Sequence, residues 1–347
     1  MSFADRLVAA WYAPGLTPLA AALTPFSALF AGITAVRRSL FRRGLLRGER
    51  LPVPVIVVGN ITAGGSGKTP LVAALARELA ARGWHPGIVS RGYGRSVEAG
   101  GADSPLLVAP DSDPARVGDE PLLLARTGFP VAVARERAAA GRALLAAHPG
   151  CDVILADDGL QHYRLARDVE IAVVDGERGL GNGWRLPAGP LREARARLAS
   201  VDAVVVLARD PAAGATAAAP AWPGALAMTL EGALFHRVDA PDVTAPAAQF
   251  GGDGVHALAG IGNPQRFFAD LAALGIRATG HAFPDHHRYA SADLAFAGAR
   301  AVLMTEKDAV KCAAFADSRC WYLPVRARID PALVARIEEK LRGRQAA

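Results

Sequence analysis

A chain of 347 residues that is 51% hydrophobic and 21% charged can bury a core and has room for two domains. Its 36 glycines and 24 prolines follow no period, which excludes a fibrous chain, and three cysteines without a C-x-x-C pair support neither a disulfide framework nor a zinc ribbon. Five of the six net positive charges come from the first fifty residues, where seven arginines face Asp5 and Glu49; this is a local collar, not the broad basic face of a nucleic-acid binder.

Residues 7–36 carry no charge, and 16–36 are long enough to cross ~30 Å of hydrocarbon as a helix. Pro14, Pro18, Pro25 and Gly32 interrupt such a helix. The arginine collar follows the apolar run, the reverse of a cleavable secretory signal, and the positive-inside rule keeps what comes after it in the cytoplasm. The expectation for 1–50 is an N-terminal membrane-associating helical segment that either spans the bilayer or lies in one leaflet. The plainer alternative is an apolar helix packed on the globular body.

Residues 51–58 (LPVPVIVV) form a short β-branched run, 59–69 read GNITAGGSGKT, and 70–82 place Leu71, Leu75 and Leu79 on one helical stripe with Gly83 as a stop. Strand, glycine-rich loop and helix in that order make a phosphate cradle from backbone N–H groups and a helix N-terminus. Thr62, Ala63, Gly64, Gly65, Ser66, Gly67, Lys68 and Thr69 are its nucleotide-binding candidates, with Lys68 on the β/γ-phosphates and the Thr69 hydroxyl on Mg²⁺. The motif is incomplete, because Thr62 stands where glycine leads the consensus. A second buried run, 151–156, ends in Asp157-Asp158-Gly159, which puts two carboxylates where an open α/β sheet binds its ligand. Further β-like runs at 87–89, 131–133, 171–174, 203–207 and 226–228 alternate with helical stretches, so a mostly parallel sheet covered on both faces is expected.

The Ala/Pro/Gly-rich stretch 209–224 and the Pro/Gly/Asp-rich stretch 239–254 read as non-core connectors. A second unit then begins with a strand at 255–261, Asn263 as N-cap, Pro264 at N1, and a stripe of Phe267, Phe268, Leu271 and Leu274. Strands follow at 301–304 and 321–325, and 326–347 reads as a charged helix capping the surface. The divisions are 1–50, 51–238 for a kinase core, 239–254 as connector and 255–347 for a smaller α/β domain.

Seven strings combine: GNITAGGSGKTP, SRGYGR, VGDEP, DDGLQHYRLARD, GNGWRLPAGPLRE, FPDHHRY and TEKDAVK. Together they resemble the tetraacyldisaccharide 4′-kinase family, the lipid A 4′-kinases, over nearly the whole chain. The resemblance implies a P-loop NTPase-like α/β/α sandwich with a smaller α/β domain and the nucleotide near their junction. It implies ATP- and Mg²⁺-dependent phosphorylation of the 4′-hydroxyl of a tetraacylated glucosamine disaccharide 1-phosphate, at the cytoplasmic face of the bacterial inner membrane. By the same resemblance Asp119 is the general base, His286 supports it, and Lys68 contacts the ATP phosphates. Asp157, Asp158 and Glu193 join Thr69 as metal-side residues, and Tyr93, Glu120, Arg137, Gln161 and Arg192 line the substrate. Arg135 competes with Arg137 for the same position. An alcohol is a weak nucleophile, so a carboxylate that orients it and accepts its proton suits the chemistry. His281, Asp285, His286 and His287 could alternatively be read as a metal cluster, though no cysteine accompanies them. The competing functions are a membrane-associated P-loop ATPase switch that acts on no lipid, and a non-catalytic lipid-binding protein. No nucleic acid and no obligate protein partner is inferred.

Overall fold

The computed structural model describes residues 3–93, 104–208, 222 and 224–345. Gly94 and Arg95 of the SRGYGR string and nearly all of 209–224 lie outside them. Three helices, α1 (Phe3–Tyr12), α2 (Pro18–Ala22) and α3 (Thr24–Arg42), come first. The uncharged run is therefore not one helix: Pro18 and Pro25 each sit in a first helical turn, where a missing N–H costs little, and so restart the helix instead of bending it. Among the described residues no helix is long and apolar enough to cross a membrane.

The first body is built from β1 (Val55–Gly59), α4 (Lys68–Ala80), β2 (Pro86–Ser90), β3 (Leu106–Val108), α5 (Pro114–Val117), α6 (Asp119–Ala125), β4 (Val131–Val133), α7 (Arg137–Ala147), β5 (Val153–Asp157), β6 (Val169–Asp175), β7 (Ala203–Leu207) and β8 (Leu226–Glu231). The second comprises β9 (Leu234–Arg237), β10 (Thr244–Pro246), β11 (Val255–Ala259), α8 (Pro264–Ala273), β12 (Thr279–Ala282), β13 (Ala301–Thr305), α9 (Glu306–Cys312) and β14 (Cys320–Leu323). The chain then returns to the first body with β15 (Arg326–Ile329) and α10 (Pro331–Gln345). The first sheet has nine strands in the order β15-β8-β7-β6-β1-β5-β2-β4-β3, and the second six in the order β10-β9-β14-β13-β11-β12. In the large sheet only the edge pairs β15–β8 and β3–β4 are antiparallel. The strand interiors are apolar on both faces, as a sheet covered by helices on both sides requires.

Two expected boundaries move. Residues 239–254 are not a loose connector: Ala245 and Phe250 are buried in the second core beside Phe235 and Trp321. Nor does 326–347 belong to the second domain as a solvated cap. Arg326–Ile329 pairs with β8, and Leu333, Val334, Ile337 and Leu341 join the core cluster that holds the Leu71, Leu75 and Leu79 stripe of α4. The charged face of this helix masked a fully buried one.

Candidate active site

Sheet order positions the site. β1 lies between β5 and β6, and the chain turns to opposite sides of it, so the carboxyl ends of these strands meet at a switch point. Register sets Asp157 opposite Val58 and Ala172 opposite Gly59. The glycine-rich loop leaves β1 there and runs into α4, whose first residue is Lys68. Gly67 has φ +83°, and a Cβ on it would stand 2.9 Å from Leu207 Cδ2, so both backbone and packing demand glycine. Thr62, the residue that breaks the consensus, bridges to Leu191, and the Ala63 N–H donates to the Pro190 carbonyl; the loop is anchored here by pairing with the 190–192 segment.

The acid pair divides by environment. Asp157 is fully buried; its Oδ2 accepts from the Thr69 hydroxyl at 3.3 Å, while its Oδ1 has no partner among the described residues. Burial, reinforced by the nearby Glu120 charge, pushes its carboxyl well up. Asp158 lies 3.6 Å from Lys68 Nζ and 3.2 Å from Arg192 Nη1. Burial acts against its charge, but Lys68 and Arg192 outweigh this and hold it far below the usual carboxylate range. Arg137 is buried and donates to the Asp158 carbonyl at 3.3 Å and to the Arg135 carbonyl at 3.0 Å. Its guanidinium is thus fixed behind the acid pair.

Asp119 opens α6, 7% exposed, with Oδ1 accepting the Glu120 N–H at 2.9 Å and Oδ2 3.2 Å from His286 Nδ1. The two residues, 167 apart in the chain, come from different domains. Tyr93 packs against the His286 ring at 4.8 Å between centroids, the rings tilted by 48°. Among the described non-glycine residues only Asp158 and His286 have positive φ, 51° and 60°, and both line one cleft. Backbone strain of this kind costs roughly 1–3 kcal/mol and concentrates at functional positions. Burial pushes the Asp119 carboxyl up, yet the His286 hydrogen bond and the Lys307 charge leave it below its ordinary value; the same pairing lifts His286 above its own.

Lys307 is a residue to which the sequence reading gave no role. It rides on α9 and reaches Glu120 Oε1 at 2.9 Å, Asp285 Oδ1 at 3.2 Å and Asp119 Oδ2 at 3.9 Å. Burial pushes its ammonium down, but Glu120, Asp119 and Asp285 together lift it well above the ordinary range. The available signal was scarcity: this chain has only four lysines. Arg178 was also missed. It donates to the Gly262 carbonyl and to Asn263 Oδ1, so the Asn263 side chain holds an arginine across the domain junction and makes no cap for α8. Gly262 stacks against Gly65, and a Cβ there would collide with the Gly65 nitrogen.

Glu193 and Gln161 bind each other at 2.8 Å, and Tyr163 donates to the second Glu193 oxygen at 2.6 Å, with Arg197 at 3.4 Å. Both Glu193 oxygens are therefore held by protein partners. Gln161 also reaches the Asn60 carbonyl at 2.9 Å, tying this network to the loop. The His281–His287 cluster does not form: His281 pairs with His256 and stacks on Phe296, while His287 pairs with Asp293. No three His, Cys, Asp or Glu side chains among the described residues surround a common point. Mg²⁺ needs no such cage, since it commonly takes one or two carboxylates and completes its shell with phosphates and water. The partnerless Asp157 oxygen beside the Thr69 hydroxyl fits that role.

The cleft has a volume of about 1520 Å³ and is lined by Lys68, Tyr93, Glu120, Asp158 and His286 and by Phe30 and Phe41 of α3. Residues of the phosphate cradle, the imidazole of the acid–imidazole pair and two phenylalanines of α3 thus line one cavity. A family model described as Tetraacyldisaccharide-1-P 4′-kinase matches residues 19–342. The tetraacyldisaccharide 4′-kinase of Dechloromonas aromatica is 55% identical over 327 residues, covering 94% of this chain and 93% of that protein. That of Chromobacterium violaceum is 52% identical over 338 residues, with 96% of each covered. A crystal structure of "apo" form LpxK from Aquifex aeolicus in complex with ATP matches with TM-score 0.73 at 28% identity, covering 93% of this chain and 99% of that one. The chain belongs to the tetraacyldisaccharide 4′-kinase family.

Proposed function

We propose that this protein transfers the γ-phosphoryl group of ATP to the 4′-hydroxyl of a tetraacyldisaccharide 1-phosphate, giving a lipid IVA-type product. The observation that carries the reading is the Asp119–His286 pair at 3.2 Å, whose histidine lines the cleft that holds Lys68. In this reading Asp119 accepts the hydroxyl proton, and His286 orients the carboxylate and shares its charge. Backbone N–H groups of the loop and the Lys68 ammonium neutralise the phosphates, and Arg137 and Arg192 back them. Thr69 and Asp157 would hold Mg²⁺, with Asp158 beside them; the ion would neutralise charge on the β- and γ-phosphates. Glu193, its oxygens engaged by Gln161, Tyr163 and Arg197, acts by fixing the loop.

The reading extends to the bilayer at the cytoplasmic face of the inner membrane. Phe26, Leu29, Ile33 and Val36 of α3 are each about 60% exposed and fall at i, i+3, i+7 and i+10, one apolar stripe on a helix flanked by Arg37, Arg38, Arg42 and Arg43. Such a helix lies in the interface plane. Its other side is tied to the body: Ser27 donates to the Arg185 carbonyl at 2.7 Å, and Arg185 donates to the Ala31 carbonyl at 3.0 Å. The test is incubation of purified protein with Mg·ATP and tetraacyldisaccharide 1-phosphate in detergent. Phosphate should appear on the lipid; ATP consumption with no lipid product refutes the proposal.

A further inference from the structure

α1 ends in Trp11 and Tyr12, both half-buried. The Trp11 indole N–H donates to the Pro187 carbonyl at 2.8 Å, and the Trp11 carbonyl accepts the Asn182 N–H at 2.8 Å. Gly181, at φ +57°, makes room for that carbonyl, since a Cβ there would stand 2.5 Å from it. The end of α1 is thus fastened to the first body. Tyr12 then touches two further elements: its hydroxyl lies 3.4 Å from the Ala63 carbonyl, and its ring lies 4.9 Å from the Arg178 guanidinium. Burial pushes the Tyr12 hydroxyl up, so it remains a donor. Arg178 carries the contact onward to the Gly262 carbonyl and Asn263 Oδ1, and Gly262 abuts Gly65. Ala63, Gly64 and Gly65 have no side chain beyond a methyl group with which to order themselves. Glycine backbone loses the most freedom on ordering, and backbone N–H groups cradle phosphate best when already in place. The Ala63 N–H is held by the Pro190 carbonyl at 2.7 Å. Tyr12 meets the other side of Ala63 directly, and reaches Gly65 through Arg178 and Gly262. The two Tyr12 contacts are unequal. A separation of 3.4 Å exceeds the roughly 2.5–3.0 Å of an ordinary O–H···O bond, whereas a guanidinium within about 6 Å of a ring centroid is well attracted. The ring carries more of the coupling than the hydroxyl.

We propose that Tyr12 is a positioning residue for the nucleotide site: its ring sets the Arg178 guanidinium, and through it the 63–65 backbone, in the arrangement that receives the phosphates of ATP. The assignment rests on the kinase reading and deepens it. It gives α1 a role in nucleotide binding that is separate from attachment to a bilayer, and the experiment distinguishes the two.

Wild type, Tyr12→Leu, Tyr12→Phe, Arg178→Met and the double variant Tyr12→Leu/Arg178→Met, each as the full chain in neutral detergent, are titrated with Mg·ATP in the absence of lipid and then assayed for the KM of each substrate. A partly buried cation–π contact corresponds to ~3–30-fold in an equilibrium constant. Tyr12→Leu keeps apolar volume without the ring, and is expected to raise Kd and KM for Mg·ATP by that factor while KM for the lipid and partition onto anionic vesicles stay within about twofold of wild type. Tyr12→Phe keeps the ring and should bind Mg·ATP within about twofold of wild type. The double variant should bind no more weakly than Arg178→Met alone, because the tyrosine acts through the arginine; losses that multiply overturn the coupling. Wild-type affinity for Mg·ATP in Tyr12→Leu overturns the proposal, and so does a loss confined to vesicle partition, which makes α1 an anchor only. Arg178→Met tests the same path without disturbing the packing of α1, and an unchanged Kd for Mg·ATP there is equally fatal. A wild type that shows the expected Kd pattern and phosphorylates no lipid supports the role of Tyr12 and refutes the kinase reading; a wild type that binds no Mg·ATP overturns both.

Discussion

Replacing Lys307 with methionine should move the acid limb of the pH–rate profile upward by about one pH unit. The Lys307 ammonium stands 3.9 Å from Asp119 Oδ2. Two unit charges at that separation interact by roughly 4 kcal/mol at an effective dielectric of ~20. Water entering the space left by the ammonium offsets most of this. About a third surviving, roughly 1.4 kcal/mol, equals one pH unit. The sign does not depend on which group the limb reports. Against burial, the His286 hydrogen bond and then Lys307 lower Asp119, and Lys307 also acts downward on His286, so its removal raises both. Activity that requires the ionised base is then lost at a higher pH as the medium is acidified. The macroscopic limb belongs to the pair, which is why the shift and not a site assignment is the observable. The assay is kcat/KM from pH 3 to 9 with saturating Mg·ATP. Lys307→Arg keeps the charge near Glu120 and Asp285 and should leave the limb within a few tenths of a unit of wild type. A methionine variant that folds, binds ATP and keeps the wild-type limb would refute the claim that this lysine sets the electrostatics of the acid pair.

Asp119→Asn should retain nucleotide binding and lose ~10²–10⁴ in turnover, the usual loss on removing a general base; near-normal turnover removes it from the chemistry. Chelation with excess EDTA should abolish transfer, and Asp157→Asn should raise the Mg²⁺ concentration needed for half-maximal rate, since it alters the buried carboxylate whose Oδ1 has no partner among the described residues. Ile337→Ala, in the tail helix at 1% exposure, should cost about 2–5 kcal/mol in urea unfolding, because the cavity opens in the first core and not at a surface; a loss under 0.5 kcal/mol would show the tail to be dispensable. Leu29→Glu/Ile33→Glu should cut partition onto anionic vesicles by ~10–100-fold with detergent-phase activity kept, as each side chain buries roughly 1–2 kcal/mol of apolar surface in the bilayer.

What the sequence discloses follows the range of the forces involved. The strand at 55–59, the Leu71, Leu75 and Leu79 stripe and the parallel core are legible because a short apolar run or a 3.6-residue period is a local pattern with one physical use. The loop was legible through Gly67, Lys68 and Thr69, whose spacing serves a phosphate directly. The domain borders were not, because β15 leaves the second domain to pair with β8 nearly a hundred residues earlier, and no local composition marks a strand's partner. Arg326 and Arg328 on that edge strand, with the charged side of α10, gave the tail a solvated look; charge at a sheet edge guards against stray pairing and says little about what lies beneath. The Asp119–His286 meeting was available only through resemblance, since 167 residues of chain carry no spacing signal. Lys307 sat inside a recognised string and went unused because an isolated lysine at the start of a helix reads as solvated. What distinguishes it is three carboxylates brought by two domains to one point. The site is therefore composite: Lys307 of the second body reaches Glu120 and Asp119 of the first, and Arg178 of the first reaches Gly262 and Asn263 of the second.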